Sequence, residues 1–328
     1  MGTIGTEQSA CSIPCNLCGS TEVEPISLAD RDGNHLRTVI CRVCGLVWTD
    51  PRPGDIGKFY KEEYRLLYKG TYRPKPKHIY RAGKVAVARY GRIKAYVGRD
   101  KSVLDVGSGG GEFVYLMKTL GCRTTGIEPN EGYARHSVSA YGIDVRIGLL
   151  QDVSLEEGTF DVVTMWHVLE HMEDPARILG KTVHWIRHGG FLVVEVPDIE
   201  ATCQSPSNRF HIAHLYNFNL VTLENMGKKA GLTVVNHVAS PDGGNITVIF
   251  RKNGDPGLPG LPDGRNNFVR IVGCMRSHTL LRHFTSSRPY SRLGKKIWRV
   301  LDEKIATAYF VDGRRLLDRF YSRHASAR

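Results

Sequence analysis

Between Lys101 and Lys252 the chain alternates two periods. Short apolar runs, "SVLDV", "RTTGIEP", "IDVRIG", "FDVVTMW" and "GFLVVEVP", read as strands. Between them, "GEFVYLMKTLG", "EGYARHSVSAYG" and "PARILGKTVHWIRHGG" place apolar residues at helical spacing, and the first two close on glycine. Apolar strands joined by helices predict an α/β fold with a parallel sheet covered on both faces. After a further helix at "NLVTLENMGKKAGL", the runs "TVVNHVAS" and "NITVIFRK" flank Pro241-Asp242-Gly243-Gly244, which is a hairpin signal. The expectation is seven strands, five alternating with helices and two forming a terminal hairpin.

Outside that region the pattern is different. Residues 1–50 read as short strands around an Asp32-Gly33 turn, and 51–100 as a helical connector. The connector is aromatic and basic, and Tyr60, Tyr64, Tyr68, Tyr72 and Tyr80 either line a sugar-binding edge or pack the connector onto its neighbours. Residues 253–264, rich in glycine and proline, form a linker, and 265–328 a helical extension. The extension carries 15 Lys and Arg against 4 Asp and Glu, so it holds +11 of the net charge of +12. In it Ile297, Val300, Leu301, Ile305 and Ala308 recur at helical spacing with basic residues on the other faces. That pattern suits a helix docked on the protein or a helix lying on an anionic membrane surface, and fits nucleic acid less well.

An apolar fraction of 41% and a charged fraction of 24% belong to a soluble globular chain. No apolar run is long enough to cross a bilayer, and Met1 to Ala10 lack a signal pattern, so the expected location is cytoplasmic, with membrane contact at most peripheral. Disulfides are accordingly not expected from the eight cysteines. Four of them form two C-x-x-C pairs, Cys15/Cys18 and Cys41/Cys44, each followed by glycine. Four thiolates at this spacing suit a closed, structural tetrahedral zinc site.

The first strand of the alternating region runs into Asp105-Val106-Gly107-Ser108-Gly109-Gly110-Gly111, which opens a helix. Glycines allow the backbone to approach a ligand and turn sharply. Glu128 ends the second strand, where a carboxylate can accept both hydroxyls of a ribose. The spacing is G-x-G-x-G, and Asp105 before it disfavours a pyrophosphate but suits a cationic ligand. Further on, "WHVLEHMEDP" contains His167, Glu170 and His171 as H-x-x-E-H, the pattern of an inverted zinc peptidase. Such a site needs both histidines in one unbroken helix, whereas Asp174-Pro175 marks a new helix start four residues after His171.

"VLDVGSGGGEF", "GIEP", "GTFDVVTMWHVLEHMEDP" and "GGFLVVEVP" resemble, in order and spacing, the motifs of class I S-adenosylmethionine (SAM)-dependent methyltransferases. With its front cysteines the chain is similar to the subgroup carrying an N-terminal four-cysteine zinc element, whose members methylate sugars, polysaccharides or secondary metabolites. The resemblance runs from about Cys15 to Lys252. It implies a Rossmann-like seven-stranded sheet and SAM as cofactor. It also implies that Asp105, Gly107, Ser108, Gly109 and Gly111 hold the cofactor's amino acid end, and that Glu128 binds the ribose with Pro129 shaping the next turn. Leu150 and Gln151 would then reach the adenine, and Trp166 and His167 would flank the methionine part.

Methyl transfer from a sulfonium needs alignment, and a hydroxyl acceptor also needs its proton removed. His171 and His214 are the candidates for that base, with His211, Tyr216 and Asn217 as orienting neighbours. A divalent cation on His167, Glu170 and His171, completed by His211 or His214, is an alternative use of the same residues. The expected acceptor is a small molecule or glycan hydroxyl. A nucleic-acid (RNA) methyltransferase is the alternative, although no N-P-P-Y motif occurs and the central region is not basic. A non-catalytic SAM-binding scaffold is a third possibility, against which the intact Asp105, glycine loop and Glu128 argue.

Overall fold

The front cysteine pairs sit at the turns of a small antiparallel sheet. The computed structural model describes residues 13–52, 75–253, 265–308 and 312–325. Within them β1 (Val23–Ala29), β2 (His35–Cys41) and β3 (Val47–Thr49) pair in sequence. The β1–β2 turn is fixed by Asp30, whose carboxylate accepts the amides of Asp32 at 2.9 Å and Asn34 at 2.8 Å. Val39, Ile40, Val47 and Trp48 are fully buried. The fourth strand comes from far along the chain, since Val47 and Trp48 pair with Asn217 and Tyr216. The knuckle is therefore stitched to the segment that follows the fifth strand of the central sheet, a pairing that local pattern does not reveal.

The central region begins with α1 (Pro76–Ile93). It continues as β4 (Ser102–Val106), α2 (Glu112–Thr119), β5 (Arg123–Glu128), α3 (Glu131–Tyr141), β6 (Asp144–Ile147), β7 (Phe160–Trp166), α4 (Pro175–Trp185) and β8 (Ile186–Pro197). After β9 (Tyr216–Asn217) come α5 (Leu220–Lys229) and the hairpin β10 (Leu232–Ala239) and β11 (Asn245–Lys252). The seven-stranded sheet has the order β10-β11-β8-β7-β4-β5-β6, with β10 and β11 antiparallel and the rest parallel. Alternation along each strand divides the core. Val103, Val162, Val193 and Ile249 pack with α1 and α2 on one face. Leu104, Val163, Leu192, Val194 and Val248 pack on the other with Leu179, Leu223, Met226 and Trp48.

One expectation is corrected. The helix expected through Gly190 stops at Trp185, and Ile186 starts the strand by pairing with Phe160. Ile186 is fully buried, a β-branched residue drawn into the sheet, and Gly189 at φ +74° absorbs the register shift that follows. Of the two uses open to the connector tyrosines, Tyr80 takes the packing one. It is buried, its hydroxyl donates to Asp302 at 3.3 Å and its ring meets Phe320 edge-on. Tyr60, Tyr64, Tyr68 and Tyr72 lie outside the described residues.

The basic extension is folded into the rest of the protein. In α6 (Arg265–Ser277), Asn267 donates to the Cys44 carbonyl at 2.9 Å and accepts from Asn219 at 2.6 Å. Gly45 at φ +78° has no room for a side chain, because a Cβ would stand 2.5 Å from Asn267 Nδ2. After α7 (Leu280–Phe284) and α8 (Arg288–Thr307), α9 (Gly313–Ala325) returns to α1 and α2. Leu317 and Tyr321 are buried there, and the Tyr321 hydroxyl donates to the Glu112 carbonyl at 2.8 Å. Among the described residues no helix is long and apolar enough to cross a membrane.

Candidate active site at the strand ends

The carboxyl ends of β4, β5 and β7 open into a cleft of about 400 Å³. Ligands in parallel sheets collect at this edge, where loops diverge and helices begin. Gly107, Ser108 and Gly109 form one wall, Glu128 and Pro129 the next, Leu150 and Gln151 the far end, and Trp166 and His167 the opposite side. Nine of the eleven residues expected to hold a cofactor thus line one cavity. Gly111 serves behind the wall, at φ +83° immediately before α2, where an added Cβ would come within 2.6 Å of Ser137 and Ile143. Asp105 also lies behind the wall. It is buried and accepts the Thr164 hydroxyl at 2.6 Å. Burial pushes its carboxyl up to about 7, against the opposing pull of Thr164 and Arg89.

Glu128 fastens the loop it faces. One carboxylate oxygen accepts the Gly109 amide at 2.8 Å and the other accepts Asn130 at 3.0 Å. A carboxylate has about four acceptor sites, so capacity remains for ligand hydroxyls. Residues the sequence reading missed also reach the cleft, notably Ala82 and Arg89 from α1 and Glu112 at the start of α2. Arg89 stands 4.9 Å over the Trp166 ring and 3.6 Å from Glu195, and burial lowers its pKa to about 10. The helical spacing of 82 and 89 marks a shared face of α1, but nothing local tells which element that face meets. Around the cleft, Arg89 Nε, Ser108 Oγ, Trp166 Nε1 and Glu170 Oε2 are buried with no hydrogen-bond partner among the described residues. Each such atom costs about 1–3 kcal/mol, which a bound polar ligand would offset.

A second cleft, of about 280 Å³, meets the first at His167, which lines both. Its walls are Pro197, Asp198 and the segment to Asn217, closed by Arg31 of the knuckle turn and Asn245 of the hairpin. His167 is held at φ +58°, a conformation that costs a non-glycine residue about 1–3 kcal/mol and persists only when surroundings enforce it. Its amide donates to the Glu195 carbonyl at 2.9 Å. Its ring lies between two carboxylates, with Nδ1 at 3.2 Å from Glu170 and Nε2 at 3.4 Å from Glu195. Glu195 in turn contacts Arg92 and accepts the Thr247 hydroxyl at 3.1 Å. Its strand position gave no sign of this role.

His171 lines the first cleft and His214 the second, with ring centres 5.0 Å apart. His171 Nδ1 donates to the Ala213 carbonyl at 2.7 Å. Removal from water, reinforced by His171, pushes His214 down to about 3. His211 is held near 4 by burial and by Arg31. Burial would raise Glu170, but the facing His171 and His167 outweigh it and hold the carboxyl at about 2. The ligand atoms of Glu170, His171 and His214 lie within 4.8 Å of one another, the donor set of a divalent-cation site. His167 and Glu170 are not in one helix, since Leu169–His171 form a single 3-10 turn and α4 starts afresh behind the Asp174 cap. The peptidase reading therefore fails on geometry.

Cys15, Cys18, Cys41 and Cys44 converge with all four sulfurs within 4.8 Å and no disulfide. Cys15 and Cys44 sulfurs are 3.4 Å apart and Cys18 and Cys41 3.5 Å. Tetrahedral zinc with bonds of about 2.3 Å spaces its sulfurs about 3.8 Å apart, so the set fits that ion with small adjustment.

A methyltransferase-domain family model matches residues 79–237. A probable S-adenosylmethionine-dependent methyltransferase of Mycolicibacterium smegmatis is 27% identical over 161 residues, 48% of this chain and 61% of that protein. A ubiquinone biosynthesis O-methyltransferase of Xanthomonas campestris is 35% identical over 96 residues, 27% of this chain and 40% of its own. The chain thus spans about three-fifths and two-fifths of these relatives. The crystal structure of a SAM-dependent methyltransferase from Aquifex aeolicus aligns with a TM-score of 0.44 and 15% identity, over 55% of this chain and all of that one. With the strand order above and the match over residues 79–237, the chain has the Rossmann-like α/β methyltransferase fold, with a four-cysteine cluster near its N-terminus.

Proposed function

We propose that the protein is a SAM-dependent methyltransferase acting on a hydroxyl of a small-molecule or glycan acceptor, with structural zinc on Cys15, Cys18, Cys41 and Cys44. The observation that carries the reading is the junction of two clefts at His167, one built by the glycine loop and Glu128, the other by polar side chains. The first cleft takes the cofactor, which supplies an electrophilic methyl group when bound. Gly107 to Gly109 and Glu128 fix its position, and Leu150 and Gln151 bound the far end. The second cleft carries Asp198, Gln204, Ser205, Asn208, Arg209, Asn217 and Asn245. That density of donors and acceptors suits a polyhydroxylated molecule. The O-methyltransferase name of the Xanthomonas relative agrees with an oxygen acceptor.

Transfer is an in-line displacement, so most of the barrier reduction comes from alignment. His171, whose Nδ1 donates to the Ala213 carbonyl, takes the hydroxyl proton on Nε2, and Glu170, 3.9 Å from that nitrogen, stabilises the imidazolium that results. His171 is thus one of the two bases expected from sequence; the other, His214, and His167, held between Glu170 and Glu195, stand beside it. At neutral pH His214 is uncharged and serves as a hydrogen-bonding wall.

Calorimetric titration with SAM, followed by methyl transfer to a panel of sugar and phenol acceptors, tests this reading. Glu128→Gln should weaken SAM binding, whereas His171→Ala should lose roughly 100-fold or more in transfer at saturating SAM. Absence of SAM binding by the wild-type protein, or undiminished transfer by His171→Ala, overturns it.

A further inference from the structure

The extension presents an amphipathic helix the wrong way round. α8 docks onto α1 by its polar side, where Glu303 pairs with Arg81 at 2.7 Å and Asp302 with Lys84 at 2.8 Å. At 3.6 residues per turn, Tyr290, Trp298, Leu301 and Ile305 fall within roughly a quarter of the helix circumference, opposite Glu303. That stripe faces solvent, with Trp298 and Ile305 each 74% exposed and Tyr290 64%. The adjacent α7 adds Leu281 at 77% and Phe284 at 55%. A soluble surface rarely exposes large apolar side chains side by side without an occupant.

The charges around the stripe select the occupant. Residues 280–307 contain seven Lys and Arg and two acids, and both acids face α1. On the same wheel Lys304 borders the stripe, and Arg282 is exposed beside Leu281 on α7, so the charges next to the apolar side chains are positive. A second copy of the same face would bring like charges together on docking. An anionic lipid surface complements both features, because aromatic and aliphatic side chains enter the headgroup boundary while Lys and Arg meet the phosphates. We propose that α7 and α8 form a docking face for an anionic membrane surface, with Trp298, Ile305, Leu281 and Phe284 as the inserting residues and Arg282 and Lys304 among the cations. The proposal does not depend on the methyl-transfer reading.

The full, metal-loaded chain provides its own probe. Its other tryptophans, Trp48, Trp166 and Trp185, are buried, so a lipid-induced change in emission reports Trp298. The protein would be sedimented with vesicles of phosphatidylcholine and with vesicles of equal parts phosphatidylcholine and phosphatidylglycerol, in low and high salt. Binding and a blue shift should appear with the anionic vesicles, weaken in high salt and be absent with the neutral ones. Trp298→Ser with Ile305→Ser should reduce partitioning at least about tenfold, given the apolar area withdrawn from the interface. Arg282→Glu with Lys304→Glu should reduce it roughly fivefold per charge removed. Both pairs lie on exposed surface, and unchanged thermal unfolding verifies their fold. Failure to bind anionic vesicles, equal binding to neutral ones, or a lipid-free dimer whose Trp298 emission is already blue-shifted each overturns the proposal. The last result would assign the face to a second copy.

Discussion

Asp105→Asn should stabilise the protein at alkaline pH and leave it nearly unchanged in acid. Asp105 is sealed under the glycine loop with one strong partner, the Thr164 hydroxyl at 2.6 Å. Burial lifts its carboxyl from 3.8 to about 7, Thr164 and Arg89 pull the other way, and Glu128 adds to the rise. Because the folded form binds the proton more tightly than the unfolded chain, stability is greatest below about pH 4. It falls as the pH rises towards 7 and then levels off. The whole fall is on the order of 4 kcal/mol, and relaxation around the ionised group would reduce it to about 2–4 kcal/mol. An asparagine keeps the acceptor that Thr164 uses and never ionises. Urea unfolding of both proteins across about pH 4 to 8 measures the difference, and other titrating groups cancel because they are common to both. A gap that opens from near zero to a few kcal/mol matches the structure. A gap independent of pH, or a variant weaker at pH 8, refutes the assignment of Asp105 as a buried, reluctantly ionised acid.

Three further outcomes follow from packing. Chelation of the zinc proposed on the knuckle cysteines, or Cys44→Ser, should expose the amides of Tyr216 and Asn217 to hydrogen exchange together with those of β3, because the strands are paired. Arg89→Met should weaken SAM binding at least about tenfold by calorimetry, a change of 1.4 kcal/mol, since its guanidinium lines the first cleft; unchanged affinity would remove Arg89 from the site. Leu317→Ala should cost about 2–5 kcal/mol in global unfolding, because α9 is packed into the core beside α1 and not appended as a tail. A cost near zero would show that the extension unfolds separately.

Much of the fold was legible in the order of residues. The alternation of apolar runs with helical spacing, the glycine turn into α2 and the Gly243 hairpin are local signals, and each element formed where its signal lay. Asp174 before Pro175 likewise capped α4 as expected, its side chain accepting the Arg177 amide at 3.0 Å. Nine of the eleven cofactor candidates shared one cavity because a parallel sheet carries the ends of its strands to one edge, whatever lies between them. The limit of the helix before β8 was misread, since residues 186–190 carry no local signal that outweighs a pairing partner 26 residues earlier.

What the sequence by itself determined is the set of groups whose neighbours are close in the chain: strands, caps, C-x-x-C pairs and glycine loops. What the tertiary structure decided is everything set by pairs far apart. Tyr216 joins the knuckle sheet across 168 residues to Trp48, and Glu195 finds His167 from the adjoining strand. Arg89 enters the cleft from a helix outside the alternation. The outward turn of the α8 apolar stripe belongs to the same class, for its spacing leaves open which face docks and the ion pairs to Arg81 and Lys84 decide it. Periodicity states that a helix has two faces; only the partners it meets decide which one is covered.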